Sequence, residues 1–182
     1  MTAQTSTSCD SLKAAIRNIP DYPKPGIVFR DITTLLKDPV AFMTAHRALI
    51  ERFRAVDFDL VLGIEARGFV FGGALALSLG KGFIPLRKSG KLPAAVLSET
   101  YELEYGDDTI NMHTDAVATG QRVILIDDLL ATGGTLAAAA SLVEKAGGTV
   151  AGIGVVIELA FLAGRKKLAG YDLYSAVTYD VE

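Results

Sequence analysis

The chain has little with which to staple itself and little surplus charge of either sign. Cys9 is the one cysteine in 182 residues, which excludes an intrachain disulfide and a thiolate metal cluster and agrees with a reducing compartment. Against 21 acidic residues stand 18 basic ones, a formal charge of -3, so there is no bulk attraction to nucleic acid or anionic lipid. Long hydrophobic runs are also missing. The longest, Gly68 to Gly80, is thirteen residues before Lys81 interrupts it, short of the roughly 20 that a bilayer requires. The opening stretch, Met1 to Asp10, lacks the basic start and apolar core of a secretory signal. It reads as a loose, disordered polar tail ahead of a soluble cytoplasmic protein with no nucleic-acid or membrane partner.

What is present is the composition of an ordinary globular chain, 50% hydrophobic and 21% charged, long enough to bury its own core as a single domain over 1–182. Asp10 or Ser11 can cap a helix running to Arg17, with Leu12, Ala15, Ile16 and Ile19 on one face before Pro20. Asp38-Pro39 opens a second helix by the cap-plus-proline rule, and Phe42, His46, Leu49, Ile50 and Phe53 mark its buried stripe. A lone histidine on such a stripe reads as a packed core residue.

From Leu60 onward short apolar runs alternate with helical stretches: Leu60 to Ile64, helix Phe69 to Leu79, Phe83 to Leu86, Val123 to Ile126, helix Thr135 to Ala146, Val150 to Ile157. This predicts an α/β fold whose central, mainly parallel twisted sheet is flanked by crossover helices. The rhythm breaks between Lys88 and Thr119, a segment with Ser, Gly, Pro and three glutamates that is long enough for an arm or lid with short strands of its own.

Chemistry concentrates in Val123-Ile-Leu-Ile-Asp-Asp-Leu-Leu-Ala-Thr-Gly-Gly-Thr135. An apolar strand, a glycine-rich turn and a helix make an anion site, because the unpaired N–H groups and positive end of the helix face the ligand. A Walker-type loop would need Gly-Lys-Ser/Thr, and here Gly134 is followed by Thr135-Leu136. The dinucleotide pattern fails too, since Gly152-Ile-Gly154 lacks its third glycine. Asp127 and Asp128 are then informative: carboxylates accept from sugar hydroxyls while backbone amides donate to a phosphate, which suits a phosphorylated sugar.

The same stretch resembles the phosphoribosyl pyrophosphate (PRPP) binding signature of the type I phosphoribosyltransferases. Tyr22 to Ile32, Gly63 to Phe69, Arg87 to Pro93 and Leu103 to Gly106 are similar, in order and spacing, to the adenine-specific members of that family. The likeness extends from about Ile19 to the last strand. It implies the type I phosphoribosyltransferase fold with a flexible lid loop and a small hood formed by the N-terminal segment.

The resemblance further implies purine salvage, with the phosphoribosyl group of PRPP passed to adenine to give AMP and pyrophosphate. Ala131, Thr132, Gly133, Gly134 and Thr135 would cradle the 5-phosphate, with Asp127 and Asp128 at the ribose. Arg67, in a loop where the family often has a cis non-proline peptide, would join Arg87, Lys88 and Lys91 on the pyrophosphate. Phe29 would stack on adenine while the main chain at Val28 and Arg30 reads its polar edge, and Leu159 would cover the other face. Glu104, in Leu-Glu-Tyr-Gly, would be the acid-base residue. Mg2+ would be held mainly through PRPP, with no dedicated protein metal site, and a homodimer is implied because some basic side chains in the family reach the neighbouring subunit's site. Two other readings stay open: the same chemistry on xanthine or hypoxanthine, and a non-catalytic PRPP-sensing regulator.

Overall fold

A computed structural model describes residues 3–102 and 106–181. Its centre is a seven-stranded sheet: β3 (Leu60–Ile64), β4 (Gly82–Lys88), β5 (Val96–Glu102), β6 (Asp107–His113), β7 (Arg122–Leu130), β8 (Thr149–Leu159) and β9 (Leu173–Tyr179), in the spatial order β5-β6-β4-β3-β7-β8-β9. Strands β4, β3, β7, β8 and β9 run parallel. The hairpin β5-β6 is antiparallel and joins the edge through Arg87↔Asn111 and Lys88↔Ile110. The expected mainly parallel sheet is therefore present, and the segment that broke the rhythm does carry strands of its own.

Continuous apolar runs form the middle strands because helices cover both faces of a parallel sheet. In β7 successive side chains alternate between the two sides. Ile124 and Ile126 enter one core with Leu49, Phe53, Phe71 and Leu75, from α3 (Pro39–Phe53) and α4 (Gly68–Leu79). Val123 and Leu125 enter the other with Leu136, Ala139, Leu142 and Val143, from α5 (Gly134–Lys145).

Helix α3 begins as expected, with the Asp38 side chain accepting from the N–H groups of Val40 and Ala41. Its buried line is Ala41, Ala45, Leu49 and Phe53: Leu49 and Phe53 are on the expected stripe, while Phe42, His46 and Ile50 flank it half-buried, because the small alanines let the helix sit close to the sheet. His46 packs between α3 and α4, its Nε2 2.9 Å from Ser78 Oγ. Burial lowers its pKa, in keeping with a packing role.

The N-terminal helix α1 covers Ala3–Ala15, starting well before the Asp10 or Ser11 cap and stopping short of Arg17. Arg17–Ile19 instead forms strand β1, antiparallel to β2 (Phe29–Asp31). The Arg17 guanidinium clamps the pair, with Nε 3.0 Å from Asp31 Oδ2. Thr33 and Arg17 hold the Asp31 carboxyl at a pKa of about 2. After β2 come α2 (Thr33–Lys37) and then α3. No helix among the described residues is long and apolar enough to cross a membrane.

Phe53 lies flat against the backbone of β8, which is possible only beside glycine. A Cβ on Gly154 would meet Phe53 Cε2 at 2.7 Å and Ile126 Cδ1 at 2.9 Å. Gly154→Ala is expected to destabilise the protein by about 1–3 kcal/mol through overpacking, read as a lowered urea midpoint with an unchanged slope.

Candidate active site

Loops leaving the carboxyl ends of β3, β4 and β7 meet over a cleft of about 550 Å³, the place where open parallel sheets bind ligands. Register brings them together. Ile64 is level with Leu86 on one side, and Gly63 with Ile126 on the other, so Glu65, Arg87 and Asp127 stand at nearly the same height along the strands.

On the β7 side, Ala131 to Thr135 turn directly into α5, with Gly133 left-handed at φ 81° before the first helical residue. Beneath this loop lies a 3-10 turn, Gly164–Leu168, that sequence reasoning did not single out. A Cβ on Gly133 would sit 2.5 Å from the Gly164 carbonyl oxygen, and one on Gly164 would collide with the Ala131 carbonyl oxygen. The turn is held in its own place by Arg165, whose Nε and a terminal nitrogen donate to the buried Glu158 carboxylate at 2.6 and 2.7 Å. Ser175 Oγ donates to the same carboxylate at 2.7 Å.

The two aspartates ahead of the loop differ in state. Asp127 Oδ1 accepts from the Asp128 N–H at 2.8 Å. Burial pushes its carboxyl pKa well up, and the neighbouring Asp128 charge pushes the same way. Asp128 is paired instead with Arg67 Nε. That contact depends on Gly68, where a Cβ would be 2.7 Å from the Ile126 carbonyl oxygen, so α4 starts hard against the end of β7.

On the β4 side, Glu65 gathers the cations. It accepts from Lys91 Nζ at 2.7 Å, from Arg87 Nε at 3.2 Å and from the Lys88 N–H at 3.0 Å. The Lys91 hydrogen bond, with Arg87 behind it, holds the Glu65 pKa at about 2 although burial opposes this. The Lys88 side chain turns the other way, its Nζ 2.9 Å from Asp108 Oδ2. The Glu65–Ala66 peptide is cis.

Of the residues expected at the site, Arg67, Lys88, Lys91, Asp127, Asp128 and Ala131 to Thr135 line this cleft. Arg87 stands behind it on Glu65. Val28, Phe29, Arg30 and Leu159 are not among its lining residues. They lie at β2 and at the ends of β8 and β9, where Arg30 stacks over the Tyr179 ring at 4.2 Å and Tyr179 is the register partner of Leu159. Phe29 meets Tyr22 edge to face at 5.3 Å. Glu104 lies outside the described residues. Tyr101 and Asp108, register partners across the β5-β6 hairpin, also line the cleft, and nothing in their sequence neighbourhood singled them out.

Among the described residues no group of three or more His, Cys, Asp or Glu side chains converges on a common point that could hold a metal ion. The cleft carboxylates Glu65, Asp108 and Asp128 already face cations. This donor set is compatible with a magnesium ion that would take most of its ligands from substrate phosphates and water.

Residues 31–180 match the phosphoribosyl transferase domain family. The chain is 58% identical over 169 residues to an adenine phosphoribosyltransferase of Solibacter usitatus, covering 93% of this chain and 98% of that one. Among solved structures, the adenine phosphoribosyltransferase of Thermoanaerobacter pseudethanolicus superposes with a TM-score of 0.91 at 54% identity, covering 94% of this chain and 99% of that one. The enzyme of that name from Saccharomyces cerevisiae, complexed with an imino-altritol bisphosphate and adenine, gives 0.87 at 39% identity, with 94% and 99% covered.

Two outcomes follow from this geometry. Gly164→Ala has to displace the Ala131 carbonyl, so it is expected to cost about 1–3 kcal/mol of stability and to weaken binding of inorganic phosphate at the loop; unchanged melting and titration curves would place the loop's support elsewhere. Glu65 has a folded pKa of about 2 against an ordinary 4.5. Its contribution is therefore complete above pH 4.5 and is lost as the pH falls from there towards 2. Thermal melts of Glu65→Gln should accordingly lie below wild type at neutral pH and converge with it over that window.

Proposed function

The chain belongs to the phosphoribosyl transferase domain family, and from that premise we propose that it joins adenine to the ribose of PRPP, releasing AMP and pyrophosphate in purine salvage. One observation carries this reading. The cleft has an anion-binding loop at one end, a pair of aspartates in the middle and a cluster of cations at the other, the order in which PRPP carries a 5-phosphate, ribose hydroxyls and a pyrophosphate.

Each part then has a task. Amides of Ala131 to Thr135 and the Thr132 and Thr135 hydroxyls hold the 5-phosphate at the N-terminus of α5. Asp127 and Asp128 accept from the ribose hydroxyls. Arg67, Lys88 and Lys91, with Arg87 behind them, oppose the charge that grows on pyrophosphate as its C–O bond to ribose breaks. Fixed charges of this kind stabilise the transition state without reorganising at the moment of reaction. Magnesium bound with PRPP supplies further neutralisation of the pyrophosphate.

Val28, Phe29, Arg30 and Leu159 take the base, Phe29 and Leu159 by stacking and the main chain at Val28 and Arg30 by hydrogen bonding. Their place at the carboxyl end of β8 and β9, beside β7, supports this: Glu158, the residue before Leu159, pairs with Leu130. As the ring nitrogen of adenine bonds to ribose it loses a proton, which passes to the Glu104 carboxylate.

The α4 face formed by Val70, Gly73, Ala74 and Leu77 supports self-association. Val70 is 42% and Leu77 84% exposed, and their spacing makes one apolar stripe on the helix that follows Arg67. A second copy seated there would stand next to the pyrophosphate end of the site. Solution in the cytoplasm agrees with the single cysteine and the near-balanced charge.

Purified protein given Mg2+, PRPP and one purine base at a time tests the reaction. AMP is expected from adenine, with hypoxanthine, xanthine and guanine far slower; a faster reaction with one of those bases would overturn the specificity. In the same assay Glu104→Gln is expected to lower turnover by about 10²–10⁴-fold while half-saturation by PRPP shifts much less. Unchanged turnover would remove Glu104 from the mechanism.

A further inference from the structure

The hairpin residues that line the cleft, Tyr101 and Asp108, meet one of its cations. Lys88 Nζ lies 2.9 Å from Asp108 Oδ2. The Tyr101 hydroxyl donates to that same oxygen at 3.2 Å. Asp108 Oδ1 is fixed by the Thr109 N–H at 2.8 Å. So the hairpin presents a carboxylate, steadied by a phenol, to a cation on the pyrophosphate side. Burial works against the Asp108 charge, yet Lys88 and the Thr109 amide keep its pKa below the ordinary value, so it meets Lys88 as an anion.

We propose that Asp108 and Tyr101 are positioning residues: Asp108 occupies Lys88 as a surrogate for the pyrophosphate end of the substrate, and Tyr101 holds Asp108 in place. The inference rests on the proposed function. PRPP supplies a better acceptor, a pyrophosphate oxygen for Lys88, and binding replaces the hairpin's contact with its own. Asp108 thereby competes with the substrate, and with product pyrophosphate, for the same lysine.

The competition gives the test a direction that damage to the fold cannot imitate, because losing a structural contact weakens a ligand while losing a competitor tightens it. Pyrophosphate with excess Mg2+ is titrated calorimetrically into the wild-type protein and into Asp108→Asn. The variant is expected to bind about two- to five-fold more tightly, the range open to a partly exposed ion pair, and the difference should shrink in high salt. Equal or weaker binding by Asp108→Asn overturns the proposal. Should that variant fail to fold, Tyr101→Phe decides: it removes the hydrogen bond that holds Asp108 Oδ2 and loosens the grip on Lys88, so pyrophosphate is expected to bind more tightly, and equal or weaker binding overturns the proposal. No turnover is needed for either titration. A wild-type protein that makes no AMP from adenine would sink the parent reading, whereas an active wild type with unaltered affinities in the variants would sink this one alone.

Discussion

The register of β3 with its two parallel neighbours is the constraint on which the site depends. Ile64 level with Leu86, and Gly63 level with Ile126, put Glu65, Arg87 and Asp127 at one edge of the sheet. A slip of one residue in β7 would send its side chains to the opposite face and exchange Asp127 with a core position. Both faces are packed with apolar side chains, so such a slip is costly, and the chemistry inherits its precision from the hydrophobic core. Gly68 completes the arrangement by letting α4 start against the β7 backbone, which sets Arg67 beside Asp128.

Within that frame the cleft holds many charges and leaves its cations matched. Arg67 faces Asp128, Arg87 and Lys91 face Glu65, and Lys88 faces Asp108. A cluster of partly buried cations without partners would oppose folding. The acids remove that opposition, and they also lower the net attraction for an incoming anion. Asp127 is the exception, a buried carboxyl with an acid as its neighbour. Its environment favours the neutral form.

How much of this could be read from residues alone depended on whether the local sequence decided the outcome. The run Leu60 to Ile64 became a strand with those same ends, because an apolar run covered on both faces needs no further information. Strands β4 and β7 extended beyond their apolar parts, to Lys88 and Leu130, since a neighbouring strand goes on supplying hydrogen bonds where the side chains turn polar. β1 and β2, of three residues each, carry no period and exist through pairing with each other. The Ala131 to Thr135 loop could be read as a candidate anion site from its own residues. The proposed adenine segment could be read only by resemblance, since Phe29 and Leu159 alone read as core. Tyr101 and Asp108 were illegible for a different reason: a hairpin aims them at the cleft, and only the pairing of Tyr101 with Asp108 puts them side by side.

The contact between Gly133 and Gly164 makes two distant stretches of chain a single mechanical part. The Ala-Thr-Gly-Gly-Thr loop is short and self-contained in sequence, which invites transplanting it onto another parallel sheet as a ready-made phosphate grip. Its shape, however, is cast against the turn at Gly164–Leu168, and that turn is in turn tethered through Arg165 to the end of β8. A graft that takes the loop and leaves the turn behind would carry the amides without the mould that aims them. The transferable unit is the loop together with the end of β8 and the turn beyond it.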